Sequence, residues 1–223
     1  AAHLVGFTDA DDRGQEGLEL AFENTLRGKP GMKRVIRDRR GRIVEEVDLV
    51  RPAEPGRNIT LTIDRRIQFL AYRAQKRAML DTGATSGSAV VLDVASGEVL
   101  AMANLPSFNP NAVGLGNRDA HRNRAVTDVI EPGSTMKPLT VAAALEAGKI
   151  TPNTSFNTNP GWMPNGKFRT TDTHNYGVLD TTGVIRKSSN VGAAKIVHML
   201  PSRDFHEFLV RLGYGRSTGS GFP

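Results

Sequence analysis

Two apolar runs on either side of a tight turn constrain the fold of this chain more than any other feature. Ser88–Val94 and Glu98–Ala103 are rich in valine, leucine and alanine, and Ala95-Ser96-Gly97 separates them. Runs of this length around a Ser-Gly turn predict an antiparallel hairpin. A helix is predicted just before it, over residues 64–80, because Asp64 can cap it and its apolar residues share one stripe. The chain therefore combines helices with antiparallel strands.

The first 57 residues predict a separate, small and extended module. Glycine and proline interrupt this segment repeatedly, and its periodic stretches are short. Gly17–Leu26 predicts one short helix, and residues 34–50 predict two strands joined by a turn. The proline-rich stretch 51–57 predicts the linker that ends the module. A second domain is therefore expected over residues 58–223.

Local periodicity predicts the elements of this second domain. Apolar residues alternate with polar ones over 58–63, which predicts a half-buried strand. Residues 104–124 form a long polar connection, and loops of that length are often functional. No helical period is visible over 150–183. Three further helices are expected, over 134–147, 190–200 and 203–212.

Composition excludes several classes of protein. With 39% hydrophobic and 23% charged residues and no cysteine, the chain is neither disordered, nor collagen-like, nor a disulfide scaffold. The net charge of +6 is partly local, since Lys33–Arg42 holds six basic residues and one acid. This cluster fits a solvated basic face or an anionic partner, but no nucleic-acid module accompanies it. No apolar stretch approaches the roughly 18 residues of a membrane span.

Ser134-Thr135-Met136-Lys137 has the S-x-x-K spacing, which places a hydroxyl and an amine on one face of a helix. A serine becomes a nucleophile when a base takes its proton, and a lysine can do so only when neutral. Burial and the positive end of a helix would both lower the pKa of Lys137. The same helix start would offer backbone N–H groups to an oxyanion. About 0.4 such pairs are expected by chance, so a helix-capping Ser134 and a solvated Lys137 remain an alternative.

Ser188-Ser189-Asn190 provides a second pattern, S-x-N. The same pattern occurs in Ser107-Phe108-Asn109, where flanking prolines predict a simple turn. The later copy begins a predicted helix. Helix capping is therefore the alternative to a catalytic role for it.

Taken together, these motifs resemble the class B penicillin-binding proteins, and within that family the division-specific transpeptidases. The first motif continues into Pro138 and follows Glu131-Pro132-Gly133, and the second is part of Lys187–Gly192. The resemblance covers nearly the whole chain. Further matching segments occur in the same order, namely Gly17-Leu18-Glu19, Leu61–Asp64 with Ile67-Gln68, Ala89–Ala103, Pro106–Asn111 and Arg122–Val126.

The resemblance implies an α+β fold of the penicillin-binding, serine-transpeptidase type. Its antiparallel sheet with flanking helices would lie in residues 58–223, after part of the N-terminal pedestal module in 1–57. The family's third motif, K-[ST]-G on a sheet-edge strand, is absent from these 223 residues, and Arg216–Gly219 does not fit it. We therefore expect a truncated piece without the C-terminal strands and the anchor helix. Loss of an oxyanion donor and the carboxylate site would raise the catalytic barrier, so the fragment itself is expected to be impaired.

The activity implied by the resemblance is that of a peptidoglycan D,D-transpeptidase. Such an enzyme cross-links stem peptides through an acyl-serine intermediate during septal wall synthesis, and β-lactams trap the same serine. Ser189 and Glu131 would contact the substrate, although a structural role for Glu131 is the alternative. The implied catalytic roles are nucleophile for Ser134, general base for Lys137, proton relay to the leaving amine for Ser188, and orientation of the substrate amide and of Lys137 for Asn190.

The resemblance also implies partners and a location. The substrate would be a stem peptide ending in D-Ala-D-Ala, and the partners would be division proteins, including a septal SEDS-type glycosyltransferase. The parent protein would be anchored at the periplasmic face of the bacterial inner membrane. No cofactor or metal is expected, because the five histidines, including His174 beside Asp172, lack ligand spacing. A catalytically silent penicillin sensor or division scaffold is the alternative, and the N-terminal module argues against a β-lactamase.

Overall fold

The computed structural model describes residues 1–113 and 118–221. It divides into two compact units, residues 1–129 together with Gly221, and residues 130–220. Helices and short antiparallel strands occur in both units, which confirms the predicted α+β class. Within the described residues the strands form five separate two-stranded antiparallel sheets. The domain boundary expected after residue 57 stays a prediction.

Besides a 3₁₀ turn at Arg118–His121, the described residues of the first unit form eleven elements, in this order: α1 (Ala2–Val5), β1 (Phe7–Thr8), β2 (Gly14–Glu16), α2 (Gly17–Ala21), α3 (Glu23–Leu26), β3 (Met32–Arg37), β4 (Ile43–Arg51), α4 (Arg65–Thr82), β5 (Gly87–Leu92), β6 (Val99–Leu105) and α5 (Arg124–Thr127). The two predicted hairpins are confirmed as the pairs β3–β4 and β5–β6. The short helix predicted over 17–26 is instead divided into α2 and α3 at Phe22.

Helix α4 begins where the sequence predicts and is fixed to β6 by one buried amide. Asp64 caps the helix by accepting hydrogen bonds from the backbone N–H groups of Arg66 and Ile67, at 2.7 and 3.1 Å. Gln68 donates to the Met102 carbonyl and accepts from the Met102 N–H, both at 2.8 Å. These two backbone groups of β6 are thus satisfied by a side chain, as buried polar groups must be.

The strand predicted over 58–63 is wrong, because this segment does not pair with another strand. The segment is held beside β6 by two hydrogen bonds. The Thr62 hydroxyl donates to the Val99 carbonyl at 2.6 Å, and the backbone N–H of Asp64 donates to the Leu100 carbonyl at 3.0 Å. The alternating Ile59 and Ile63 pack against the small apolar cluster of this unit, which includes Met102. The alternation therefore reflects burial of one side of an extended segment, which does not require a ladder of hydrogen bonds.

The second unit begins with a 3₁₀ turn, Gly133–Met136, and continues through eight elements. They are α6 (Lys137–Glu146), β7 (Ser155–Asn157), β8 (Trp162–Asn165), β9 (Phe168–Thr171), β10 (Val178–Asp180), α7 (Thr181–Lys187), α8 (Asn190–Val197) and α9 (Ser202–Arg211). The helices predicted from periodicity correspond to α6, α8 and α9. The four strands and α7 were not predicted, since strands of three or four residues are too short to show a period.

Four helices enclose the core of the second unit. Val184 on α7 and Ile196 on α8 have no exposed surface, and Phe208 on α9 packs into the same cluster. Leu200, which follows α8, is a further buried member of this cluster. This core fixes the relative positions of α6, α7 and α8, whose ends carry both sequence motifs. Within the described ranges, no helix has the length and apolarity needed to cross a membrane.

Replacing Ile196 by alanine should destabilise this unit by about 2–5 kcal/mol, because the deletion leaves a cavity among well-packed neighbours. Trp162 is the only tryptophan in the chain and lies in this unit, so its fluorescence during denaturant unfolding measures the effect. Ile130→Ala is the matched control, since Ile130 is 77% exposed and its loss should cost less than about 0.5 kcal/mol. Equal effects of the two substitutions would contradict the described core.

Candidate active site

The S-x-x-K motif lies at the start of α6, as its sequence predicts. Gly133 has a positive φ of 59°, which turns the chain into the 3₁₀ segment that carries Ser134. The α-helix proper begins at Lys137, with Pro138 in its first turn, where a missing N–H is tolerated. Ser134 is exposed and Lys137 is half-buried. The difference from the prediction is small, since the first turn is 3₁₀ rather than α.

The S-x-N motif occupies the junction between α7 and α8. Ser188 ends α7 in the left-handed conformation, with φ of 53°, which is uncommon for a residue other than glycine. Strained conformations of this kind cost about 1–3 kcal/mol and cluster at functional sites. The junction places the hydroxyl and the carbonyl of Ser188 beside the Lys137 amine.

The structure brings all four predicted catalytic residues together. The Lys137 amine donates to the Ser188 carbonyl at 2.5 Å, to the Ser188 hydroxyl at 3.0 Å and to Asn190 Oδ1 at 2.7 Å. The Ser188 hydroxyl also lies 3.0 Å from Ser134 Oγ and donates to it. Lys137 and Ser134 are therefore joined through a single intervening hydroxyl, and the amine uses its three donors.

The pKa of Lys137 is lowered from its usual value. Burial is the main cause, because removing the amine from water disfavours its charged form. The negative charge of Asp172 acts in the opposite direction and partly restores the charged form. The amine is neutral above its pKa, so the lowered value brings the neutral, basic form to a lower pH.

Asp172 is the member of this cluster that sequence reasoning missed. It directly follows β9, and its Oδ1 accepts hydrogen bonds from the backbone N–H groups of Asn190 and Val191, at 2.5 and 3.0 Å. Its Oδ2 accepts from the Ser189 hydroxyl at 2.7 Å. The backbone carbonyl of Thr171 accepts from the Asn190 side chain at 2.7 Å. The end of β9 thus holds the start of α8 through four hydrogen bonds.

Of the two residues expected to contact substrate, Ser189 is buried and Glu131 is exposed. Ser189 has no exposed surface, and its hydroxyl caps α8 by accepting from the Gly192 N–H at 2.9 Å while donating to Asp172. Its contact with substrate stays a prediction that this burial does not favour. Glu131 is exposed, and no contact among the described residues joins it to the cluster.

Gly192 explains how α7 and α8 approach each other so closely beneath the motif. A Cβ atom at this position would lie 2.6 Å from Cγ2 and 3.0 Å from Cγ1 of the fully buried Val184. Side chains do not tolerate such distances without a shift of the helices. A glycine two residues after Asn190 therefore serves packing, and through it the position of Ser188.

The cluster can perform the chemistry of an activated serine. It contains an exposed hydroxyl, an amine whose pKa is lowered, and a second hydroxyl between them, with an amide that orients the amine. Within the described ranges, no three histidine or carboxylate side chains form a group that could hold a metal ion. His174 lies close to Asp172 in the sequence and has no role in the hydrogen bonds of the cluster.

Comparison with known families agrees with this arrangement. Residues 87–223 match the family "Penicillin binding protein transpeptidase domain", and residues 2–61 match the family "Penicillin-binding Protein dimerisation domain". The chain therefore belongs to the serine-type transpeptidase family of penicillin-binding proteins. The resemblance inferred from the motifs is confirmed.

Individual relatives cover the whole of this chain. It is 46% identical over 224 residues to the "Probable peptidoglycan D,D-transpeptidase PenA" of Neisseria meningitidis, covering 100% of this chain and 38% of that protein. It is 44% identical to the "Peptidoglycan D,D-transpeptidase FtsI" of Escherichia coli K12, covering 99% and 37%. The chain thus spans less than two fifths of the length of these relatives.

A solved structure shows the same fold. The transpeptidase domain of penicillin-binding protein 3 from Burkholderia pseudomallei aligns with a TM-score of 0.65 at 38% identity, over 76% of this chain and 46% of that one.

Proposed function

We propose that this protein is a peptidoglycan D,D-transpeptidase that cross-links stem peptides through an acyl-serine intermediate. The observation that carries the proposal is the hydrogen-bonded chain from Lys137 through Ser188 to Ser134. These hydrogen bonds connect the proposed nucleophile to the proposed base through a residue more than fifty positions away in the sequence. The protein that contains them is a member of the transpeptidase family. Helix capping by Ser134 alone would not require the contact with Ser188.

In the acylation step, Ser134 Oγ attacks the carbonyl carbon of the bond between the two terminal D-alanines. Its proton passes through the Ser188 hydroxyl to neutral Lys137, since that hydroxyl lies 3.0 Å from both groups. The new Oγ–C bond forms, the C–N bond breaks, and the leaving amine takes the proton back through Ser188. D-Alanine departs, and the stem peptide remains as an ester on Ser134.

In the transfer step, the amine of a neighbouring stem peptide attacks that ester. A new amide bond forms, the Oγ–C bond breaks, and the proton from the attacking amine returns to Ser134. Asn190 keeps Lys137 in place by accepting one of its hydrogen bonds, and its exposed side chain is proposed to bind a substrate amide. The N–H groups at the start of the 3₁₀ turn are proposed as oxyanion donors.

Substrate and location follow from the same proposal. The relatives named peptidoglycan D,D-transpeptidase support stem peptides ending in D-Ala-D-Ala as the substrate, and the family supports β-lactams as trapping analogues. We propose septal wall synthesis at the periplasmic face of the inner membrane, with division proteins such as a SEDS-type glycosyltransferase as partners. The sequence motif for binding the substrate carboxylate, K-[ST]-G, is absent from the 223 residues, so that role has no assigned residue here.

A division scaffold is the second candidate function, because residues 2–61 match a dimerisation family. The hairpin β3–β4 in this part exposes several apolar side chains, and Val44 is 67% exposed. A scaffold would retain binding to its division partner after Ser134→Ala and would form no acyl-enzyme. The two candidates are therefore separated by whether acylation occurs at all.

The direct test is acylation of the full-length protein by a fluorescent penicillin. We expect one covalent adduct per native molecule, located by peptide mass spectrometry on the peptide that contains Ser134. Unlabelled penicillin added first should block the label, and heat-denatured protein should not be labelled. A native protein that remains unlabelled, or a label on another residue, would refute the transpeptidase proposal.

A further inference from the structure

Asp172 is placed to act on the site without touching the reacting groups. It lies after β9, sixteen positions before Ser188, and its carboxylate is half-buried. Both oxygens are in use, one by the N–H groups of Asn190 and Val191 and the other by the Ser189 hydroxyl. The positive N-terminal end of α8 favours a negative charge at this point.

We propose that Asp172 is a positioning residue of the active site, whose carboxylate holds the S-x-N motif at the start of α8 and sets the charge balance around the Lys137 amine. The inference rests on the proposed role of Lys137 as the base. It assigns two separable effects to one side chain. The first depends on the shape and oxygen atoms of Asp172, and the second depends on its charge.

The positioning effect follows from the contacts around Asn190. Its backbone N–H is held by Asp172 and its side-chain amide by the Thr171 carbonyl, so its Oδ1 is directed at Lys137. Without these anchors, the junction at Ser188 would lose support on the side of β9. A displacement of about 1 Å in catalytic groups can cost about a hundredfold in rate.

The charge effect follows from what surrounds the Lys137 amine. Its hydrogen-bond partners, the Ser188 hydroxyl and carbonyl and the Asn190 amide, are uncharged. The Asp172 carboxylate is connected to the amine through Asn190, since it accepts from the Asn190 backbone N–H while Asn190 Oδ1 accepts from the amine. Its negative charge raises the pKa of the amine against the effect of burial. Removing that charge should leave Lys137 neutral down to a lower pH.

Two substitutions separate these effects. Asp172→Asn keeps an oxygen that can accept from the backbone N–H groups of Asn190 and Val191, places an NH2 group that can donate to the Ser189 hydroxyl, and removes the charge. We expect its acylation rate at high pH to stay within about threefold of the wild-type rate, since the change in hydrogen-bond strength is small, while the acidic limb of the pH profile moves to lower pH. Asp172→Ala removes both features, and its rate at high pH should fall by about a hundredfold.

A second measurement does not depend on acylation. The Lys137 side-chain carbon resonance, assigned among the eight lysines by its loss in Lys137→Arg, reports the titration of the amine by NMR. We expect its midpoint at lower pH in Asp172→Asn than in the wild type. Asp180→Asn is the matched control, because Asp180 caps α7 through the Gly183 N–H at 2.6 Å. Asn is as good a helix cap as Asp, so this variant should keep the wild-type unfolding temperature and leave the Lys137 midpoint unchanged.

Each outcome tests one of the two effects assigned to Asp172. An unchanged Lys137 midpoint in Asp172→Asn would overturn the charge effect, and so would an equal shift in Asp180→Asn. An Asp172→Ala protein that is folded and acylates at the wild-type rate would overturn the positioning effect. If the wild type forms no adduct at Ser134, the proposed function fails, and the Lys137 titration still tests Asp172.

Discussion

Replacing Ser134 by alanine is expected to abolish the covalent penicillin adduct, with a loss of at least about a thousandfold in the acylation rate. The Oγ atom of Ser134 is the atom proposed to form the ester, and the Ser188 hydroxyl connects it to Lys137, the proposed base. The residual reaction should be no faster than that of the denatured protein. Acylation is measured by the rate of fluorescence incorporation under native conditions.

The control for this substitution is Ser107→Ala. Ser107 begins the other S-x-N tripeptide of the chain and lies exposed in the loop after β6, so its loss should leave labelling unchanged. Because Ser134 is also exposed, Ser134→Ala should keep the unfolding transition of the wild type. A Ser134→Ala protein that still acquires the label would exclude Ser134 as the nucleophile.

Replacing Lys137 by arginine should reduce acylation by about 10²- to 10⁴-fold. Arginine keeps the positive charge and can donate to the Ser188 carbonyl and to Asn190, but it does not lose its proton at accessible pH. The substitution thus removes the base while keeping hydrogen-bond donors near their positions. The measurement is the acylation rate over a range of pH, in which the rise assigned to Lys137 should disappear.

Lys187→Arg is the matched control, since Lys187 ends α7 directly before Ser188 and makes no described contact with the cluster. Its acylation rate and pH profile should follow those of the wild type. If Lys137→Arg kept wild-type activity with the rise in its pH profile, Lys137 would be an organiser of the site, and the base would have to be sought elsewhere.

Local sequence signals predicted a large part of the fold. Asp64 and the apolar stripe after it fixed the start of α4, and a Ser-Gly turn between apolar runs fixed the pair β5–β6, because capping and turn formation depend on neighbouring residues. The same reasoning failed over 58–63, where alternation produced an extended segment without a partner strand. It also missed α7, which has little periodicity of its own and is held by the Asp180 cap and by the packing of Val184.

The sequence likewise predicted some residues of the candidate site and missed others. The motifs identified Ser134, Lys137, Ser188 and Asn190 because each is defined by short spacings that local helix geometry makes meaningful. The part played by Asp172 carried no such signal. It lies sixteen positions before the motif that it supports, in a loop that follows a four-residue strand. The inward direction of Ser189 likewise depends on where Asp172 is placed.

The amino-acid sequence by itself indicated the chemistry proposed for this protein. A hydroxyl and an amine one helical turn apart, and a Ser-x-Asn tripeptide at a helix start, are each defined by residues within a few positions of one another. Only the tertiary structure decided how these groups are connected. The approach of α7 to α8 at Gly192, the left-handed turn at Ser188 and the reach of Asp172 from β9 all depend on packing between distant segments. Contacts of that kind arise when the core around Ile196 forms, and no local pattern encodes them.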